Sequence, residues 1–149
     1  MFILQNVNKL LKLRKYSTFK LSDYDRLLIE KITNVLHDNR LKDVFVVQMK
    51  HTNICSFNVS ATASSKRHLI KSVQVIKSEF KKFSEYHTNP YVSQRLTKEI
   101  LENLDWVSLN IQSINLHILL EKVREYYDLE SFWIMGSTFD EELESVEGY

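Results

Sequence analysis

Apolar positions along this chain follow a helical period in some stretches and alternate in others. Ser22 followed by Asp25 has the spacing of an N-terminal capping box, and Tyr24, Leu27, Leu28, Ile32, Val35 and Leu36 recur at helical intervals. These predict a helix over about 23–37. The run Val44-Phe45-Val46-Val47-Gln48-Met49 is β-branched and lacks polar alternation, as expected of a central strand covered on both faces. Cys55, Phe57 and Val59 then alternate with Ser56, Asn58 and Ser60 after a short connector, which predicts an antiparallel hairpin with Cys55 toward the core. Ser64 or Ser65 can cap a second helix, whose apolar residues Leu69, Val73, Ile76, Phe80 and Phe83 step by four, three, four and three.

Residues 84–92 carry the single proline and break that period, and 93–103 reads as a short helix or a polar excursion. Val107, Leu109 and Ile111 alternate with Ser108 and Asn110. After Gln112-Ser113, Ile114, Leu116 and Ile118 alternate with Asn115 and His117, so a second hairpin is predicted. A helix from Leu120 to Tyr127 follows, then Phe132-Trp133, then an acidic tail over 135–149 too polar to pack alone. Helix, strand pair, helix, strand pair, helix implies an α+β domain over 21–134. Its mixed β-sheet is flanked by helices as an α/β/α sandwich, because the two strand pairs are joined by a helix long enough for a crossover.

Composition narrows the picture. The 149 residues, 44% hydrophobic, suffice for one core of ordinary size, and two glycines and one proline argue against a loop-rich or low-complexity chain. A lone cysteine allows neither an internal disulfide nor a cysteine-rich zinc site, which fits a reducing compartment. Every apolar run is interrupted well short of the roughly 20 residues that cross a bilayer, so no membrane partner is expected.

The net charge is +1, yet five bases (Lys9, Lys12, Arg14, Lys15, Lys20) precede the first acid, Asp23, interleaved with Phe2, Ile3, Leu4, Leu10, Leu11 and Leu13. An acid-free amphipathic start of this kind predicts a mitochondrial targeting presequence over 1–20 and residence in the matrix. Arg14-Lys15-Tyr16-Ser17 has the form of a matrix-protease site; cleavage there leaves 16 of the 20 bases with all 19 acids, a net charge of about −3. A basic N-terminal helix or nucleic-acid arm is the competing reading.

Catalytic signatures are missing: no Gly-rich phosphate loop, no His-Glu-x-x-His, no paired cysteines and no Gly-x-Ser-x-Gly. His37, His51, His68, His87 and His117 lack metal-ligand spacing, so neither a metal nor another cofactor is expected. Gly136-Ser137 with Asp140 lies after the last helix, without a strand to present paired carboxylates. Glu99, Glu102 and Asp105 read as a solvated face.

Four segments, in order, resemble the Iojap/ribosomal silencing factor family. Asp43-Val44-Phe45-Val46-Val47 is similar to its opening strand and Ser65-Lys66-Arg67-His68 to its Ser-x-Arg-His helix start. Asp105-Trp106-Val107-Ser108-Leu109-Asn110, with the later His117, is similar to its Asp-Trp strand and the histidine of the partner strand. The segment from Arg124 to Trp133 resembles its closing Arg-x-x-Tyr-x-Leu-Glu-x-Leu-Trp. Asn110 stands where the family usually has Asp, Gln112 where it has Gly, Phe132 where it has Leu, and Ala63 lies in a stretch that often bears glycine.

The resemblance implies a nucleotidyltransferase-like fold without the catalytic residues. It also implies binding to a ribosomal protein on the intersubunit face of the large subunit, which keeps the small subunit from joining, and, in mitochondria, a part in large-subunit assembly and translation. Additional assembly factors are further candidate partners. The residues expected to carry partner binding are Arg67, His68, Asp105, Trp106, His117, Arg124, Tyr127, Glu130 and Trp133.

Their chemistry is not uniform. Trp106 suits an interface anchor and packing beneath a covering helix equally well. Trp133 and Tyr127 read chiefly as packing residues. Arg67 and His68 place positive charge in a first helical turn, against the helix dipole, and call for pairing within the molecule or with a partner. Arg124 and Glu130 can pair with each other or with a ribosomal protein. Two alternatives belong to other classes: a mitochondrial RNA-binding or mRNA-expression factor, and a degenerate nucleotidyltransferase that keeps nucleotide binding. Lys66, Arg67, Lys71, Lys77, Lys81 and Lys82 share one helix but spread around it, so RNA contact is expected to be secondary to protein docking.

Overall fold

The computed structural model describes residues 3–5, 22–49, 57–84 and 96–133, with the backbone alone for 3–5 and 82–84. The first helix, α1 (Asp23–Asp38), begins where Ser22 Oγ accepts the Asp25 N–H at 3.0 Å, as the capping-box spacing predicts. It ends in a Schellman closure, with Leu41 N–H donating to Leu36 C=O and Arg40 N–H to His37 C=O, while Arg40 adopts φ 58°. Its buried stripe is Leu28, Ile29, Ile32, Thr33 and Leu36. Two residues of the expected stripe, Tyr24 and Leu27, are instead exposed, because the core seam passes through Ile29 and Thr33 on the neighbouring side.

Strand β1 (Ile3–Gln5) lies within the expected presequence and pairs antiparallel with β2 (Lys42–Gln48). The remainder of 1–20 and the tail over 135–149 fall outside the described residues, as do Cys55 and the stretch 85–95. β2 pairs antiparallel with β3 (Phe57–Ala63), completing the expected first hairpin. Phe45, Val46 and Val47 are all buried, since side chains of successive strand residues enter opposite faces and both faces here are covered.

α2 (Lys66–Ser84) carries Leu69, Val73, Ile76 and Phe80 into the core; Ser65, rather than Ser64, caps it by accepting the His68 N–H at 3.2 Å. The Phe83 side chain is outside the described set. α3 (Lys98–Glu102), capped by Thr97, is a short helix, one of the two readings open for 93–103, of which 96–103 is described. β4 (Trp106–Ile111) and β5 (Ile114–Leu120) form the second hairpin through Gln112-Ser113, and β5 joins β3 in parallel through the α2 crossover. Strand order is β1-β2-β3-β5-β4, so a mixed four-stranded sheet is extended by the short β1.

One face of this sheet, with Phe57, Val59, Ala61, Leu109, Leu116 and Ile118, packs on α1, α2 and α3 as the main core. Beyond β5, α4 (Glu121–Tyr127) and a helical turn over 129–133 fold back across the other face. The turn between them is made by Asp128 at φ 42°, whose N–H closes onto Arg124 C=O at 3.0 Å. The result is the α+β, α/β/α arrangement expected from the order of elements.

Candidate functional site

Strand alternation sets Asn58, Ser60 and Thr62 opposite the apolar residues of β3, and all three are buried. Buried hydroxyls need partners. The C-terminal segment supplies them: Ser60 Oγ donates to Glu130 Oε1 at 2.9 Å, Arg124 Nη1 donates to Thr62 Oγ1 at 2.7 Å, and Arg124 Nη2 pairs with Glu130 Oε1. The Arg124 and Glu130 side chains are only 16% and 17% exposed, so this pair is shielded far more than an ordinary surface salt bridge. Beside it, Leu129 and Trp133 pack on Phe45 and Val47, fastening the helical turn to β2.

The same face holds a chain of rings. His117 sits opposite Ser60 on β3 and Ser108 on β4. It accepts the Trp106 Nε1–H at its Nδ1 (3.1 Å), which places the imidazole proton on Nε2, and its ring lies 5.3 Å from that of Trp133. Burial drives its pKa down to about 4, against the opposing pull of the Glu130 carboxylate. Trp106 is half-buried and tilts against Tyr127 at 5.3 Å, and Tyr127 meets Tyr126 edge-on at 5.0 Å. Tyr126 is 82% exposed and Tyr127 54%, and Phe132, on the helical turn that follows, is 68% exposed.

A cleft of about 280 Å³ opens next to the stack, lined by Asp43 and Thr62 from the sheet, by Glu121, Arg124, Glu125 and Asp128 from the α4 segment, and by Glu130. It is acidic and open. Among the described residues no group of three or more His, Cys, Asp or Glu side chains is placed to hold a metal, and no helix is long and apolar enough to cross a membrane.

The nine residues singled out by sequence therefore separate into three places. Trp106, His117, Arg124, Tyr127, Glu130 and Trp133 converge on the second sheet face. Trp133 is a packing residue as expected, whereas Tyr127 is more than half exposed. Arg124 and Glu130 pair with each other. Asp105 lies at the edge of the sheet, where Lys66 Nζ approaches it at 2.5 Å. Arg67 and His68 lie on the helical layer. The Ser64 N–H donates to His68 Nδ1 at 3.0 Å and His68 Nε2 donates to Asn39 C=O at 2.7 Å, tying the start of α2 to the end of α1. Arg67 is exposed, with no partner among the described residues.

Sequence reasoning missed Tyr126, Phe132 and the acidic cleft as surface features. The i, i+4 spacing of Glu121 and Glu125 was available as a signal; Asp43 and Thr62 reach the cleft through strand pairing, which no local pattern announces.

These features define a class: a small α+β domain whose polar sheet face is closed by its own C-terminal segment and presents aromatic side chains at the surface. Comparison with known proteins supplies the family. The model described as "Ribosomal silencing factor during starvation" matches residues 22–148, and the chain belongs to this family. It is 27% identical over 122 residues to the mouse (Mus musculus) protein named "Mitochondrial assembly of ribosomal large subunit protein 1", covering 79% of this chain and half of that one. It is 26% identical over 116 residues to "Ribosomal silencing factor RsfS" of Zymomonas mobilis, covering 77% of this chain and 81% of the relative. A crystal structure of a Chromobacterium violaceum protein superposes with TM-score 0.57 at 24% identity, over 72% of this chain and 84% of that one, a likeness of fold.

Proposed function

We propose that the protein works in the mitochondrial matrix as a non-enzymatic factor of the large ribosomal subunit. In this reading it docks on a ribosomal protein of the intersubunit face and thereby keeps the small subunit away, assists large-subunit assembly, or both. Family membership over 22–148 and the names of the mouse and Zymomonas relatives support the ribosomal context. The observation that carries the docking surface is the exposed pair Tyr126 and Tyr127 beside Trp106, with Phe132 also exposed on the same C-terminal segment, which the Arg124–Glu130 pair and Trp133 anchor to the sheet. Large aromatic side chains on a rigid support lose little conformational entropy on association, and aromatic residues are enriched among interface anchors.

The basic, acid-free start of the chain supports the mitochondrial assignment. The test is gradient sedimentation of mitochondrial lysate containing the tagged full chain, with Trp106→Ala alongside. Co-migration with free large subunits but not with intact ribosomes, reduced about tenfold or more in the variant, is the expected outcome. A protein that stays at the top of the gradient would rule the docking out.

A further inference from the structure

Elsewhere in the structure Arg26 pairs with Asp23, the half-buried Lys66 with Asp105 and Lys98 with Glu102, while Lys42 and Lys122 are exposed without a side-chain partner among the described residues. Three unmatched cations gather where the end of α1 meets the start of α2. Arg40, Arg67 and Lys71 are exposed, and none has an ion-pair or hydrogen-bond partner for its side chain among the described residues. They occupy a fixed framework. Arg40 is the left-handed residue of the Schellman closure (φ 58°), Arg67 and Lys71 are one helical turn apart on a single outward stripe of α2, and the Asn39–His68 bond at 2.7 Å clamps the two helix ends together. Two features act against stability here: a non-glycine residue at positive φ, and cations in a first turn that contains no acid.

We infer that this junction is a contact for the phosphate backbone of ribosomal RNA, on the helical layer and away from the aromatic stack. The inference rests on the docking reading, since a large-subunit partner would bring RNA against the domain. Three unmatched cations on two rigid helix ends suit a backbone ligand that carries one charge per nucleotide. Each phosphate neutralised releases condensed counterions, so such a contact adds affinity that falls with salt. An acidic protein surface is the other ligand that three cations could meet. RNA is favoured because the cations project from a convex helix stripe with no exposed aromatic or aliphatic side chain beside them. A protein interface ordinarily builds an apolar centre, as the face around Tyr127 does.

The test measures binding of the full chain to purified large subunits across a salt series. Arg40→Gln/Arg67→Gln/Lys71→Gln is expected to bind roughly tenfold more weakly at low salt, with the slope of log affinity against log salt smaller by about two. Arg40→Gly alone separates folding from binding: it relieves the left-handed backbone and raises the melting temperature, yet lowers affinity. With Gln74 on the same stripe replaced by photo-cross-linking benzoylphenylalanine, irradiation of the bound complex is expected to yield RNA adducts. If the native chain binds but the triple variant matches it in affinity and salt slope, or if adducts form with protein alone, the RNA contact is overturned and docking stands. If the native chain does not bind large subunits, the docking reading fails first.

Discussion

On one face of the sheet, Phe57, Val59, Leu109, Leu116 and Ile118 meet α1 and α2 in a core that is almost wholly apolar. On the other, Ser60, Thr62 and His117 are covered by Arg124, Glu130 and Trp133 through directed hydrogen bonds, an ion pair and ring contacts. Apolar burial is non-directional and tolerates small adjustments, so the first face secures the fold. A polar network works only when every member is satisfied, so the second face fixes the C-terminal segment in one position. The exposed aromatics sit on that segment, which makes the polar closure the mechanical link between fold and docking surface.

That contrast can be broken most directly by truncating one residue on each side. Phe57→Ala, which removes a fully buried ring, is expected to cost about 4 kcal/mol in urea unfolding. Arg124→Ala is expected to cost about 2 kcal/mol, less than a fully buried pair would, because the side chains retain some exposure. Arg124→Met/Glu130→Leu should regain only part of that loss, since it removes the uncompensated charge but leaves the Ser60 and Thr62 hydroxyls without partners. Equal losses from Phe57→Ala and Arg124→Ala would show that both faces are structural cores of the same kind.

Acid sharpens the comparison, because only the second face titrates through its buried histidine. The folded pKa of about 4 lies below the unfolded value of about 6.5, so between them the unfolded chain binds more protons. Stability from His117 is complete above about pH 6.5 and is lost as pH falls toward 4, by up to about 3 kcal/mol. Trp106 fluorescence of the folded protein should change only at the lower end of that window, near pH 4, where a protonated Nδ1 no longer accepts its N–H. His117→Phe should flatten that limb of the stability profile; an unaltered acid limb would exclude His117 as its source.

The smallest effect lies in the turn joining the edge strand β4 to β5. Gln112 adopts φ 53°, a conformation that glycine takes without steric cost, and its amide accepts from the Tyr24 hydroxyl. Gln112→Gly should raise stability by about 1 kcal/mol, reduced by whatever the Tyr24 bond contributes, as read from the urea midpoint. No gain would mean that the contact to α1 offsets the backbone strain.

Much of this architecture was legible locally. The capping pattern at Ser22, the four-three steps of Leu69, Val73, Ile76 and Phe80, and the two alternating runs around Gln112-Ser113 each yielded the element found, because backbone periodicity and side-chain direction are coupled over a few residues. The misplaced stripe on α1 shows where that coupling ends. Tyr24 and Leu27 fit the helical period as well as Ile29 does, and only the position of the sheet selects which seam is buried.

The amino-acid sequence by itself determined the order of the main elements from α1 onward, though not β1, together with the capping of α1, both hairpins and the motifs that mark the family. Tertiary structure decided the rest. It turned the polar alternation of β3 inward beneath Arg124 and Glu130, joined residues 106, 117, 127 and 133 into one ring stack, and left Arg67 unmatched while satisfying His68. The physical reason is range. Propensity, capping and amphipathicity act across a turn or two of chain, whereas pairing of buried polar groups is settled by which distant strands and helices meet.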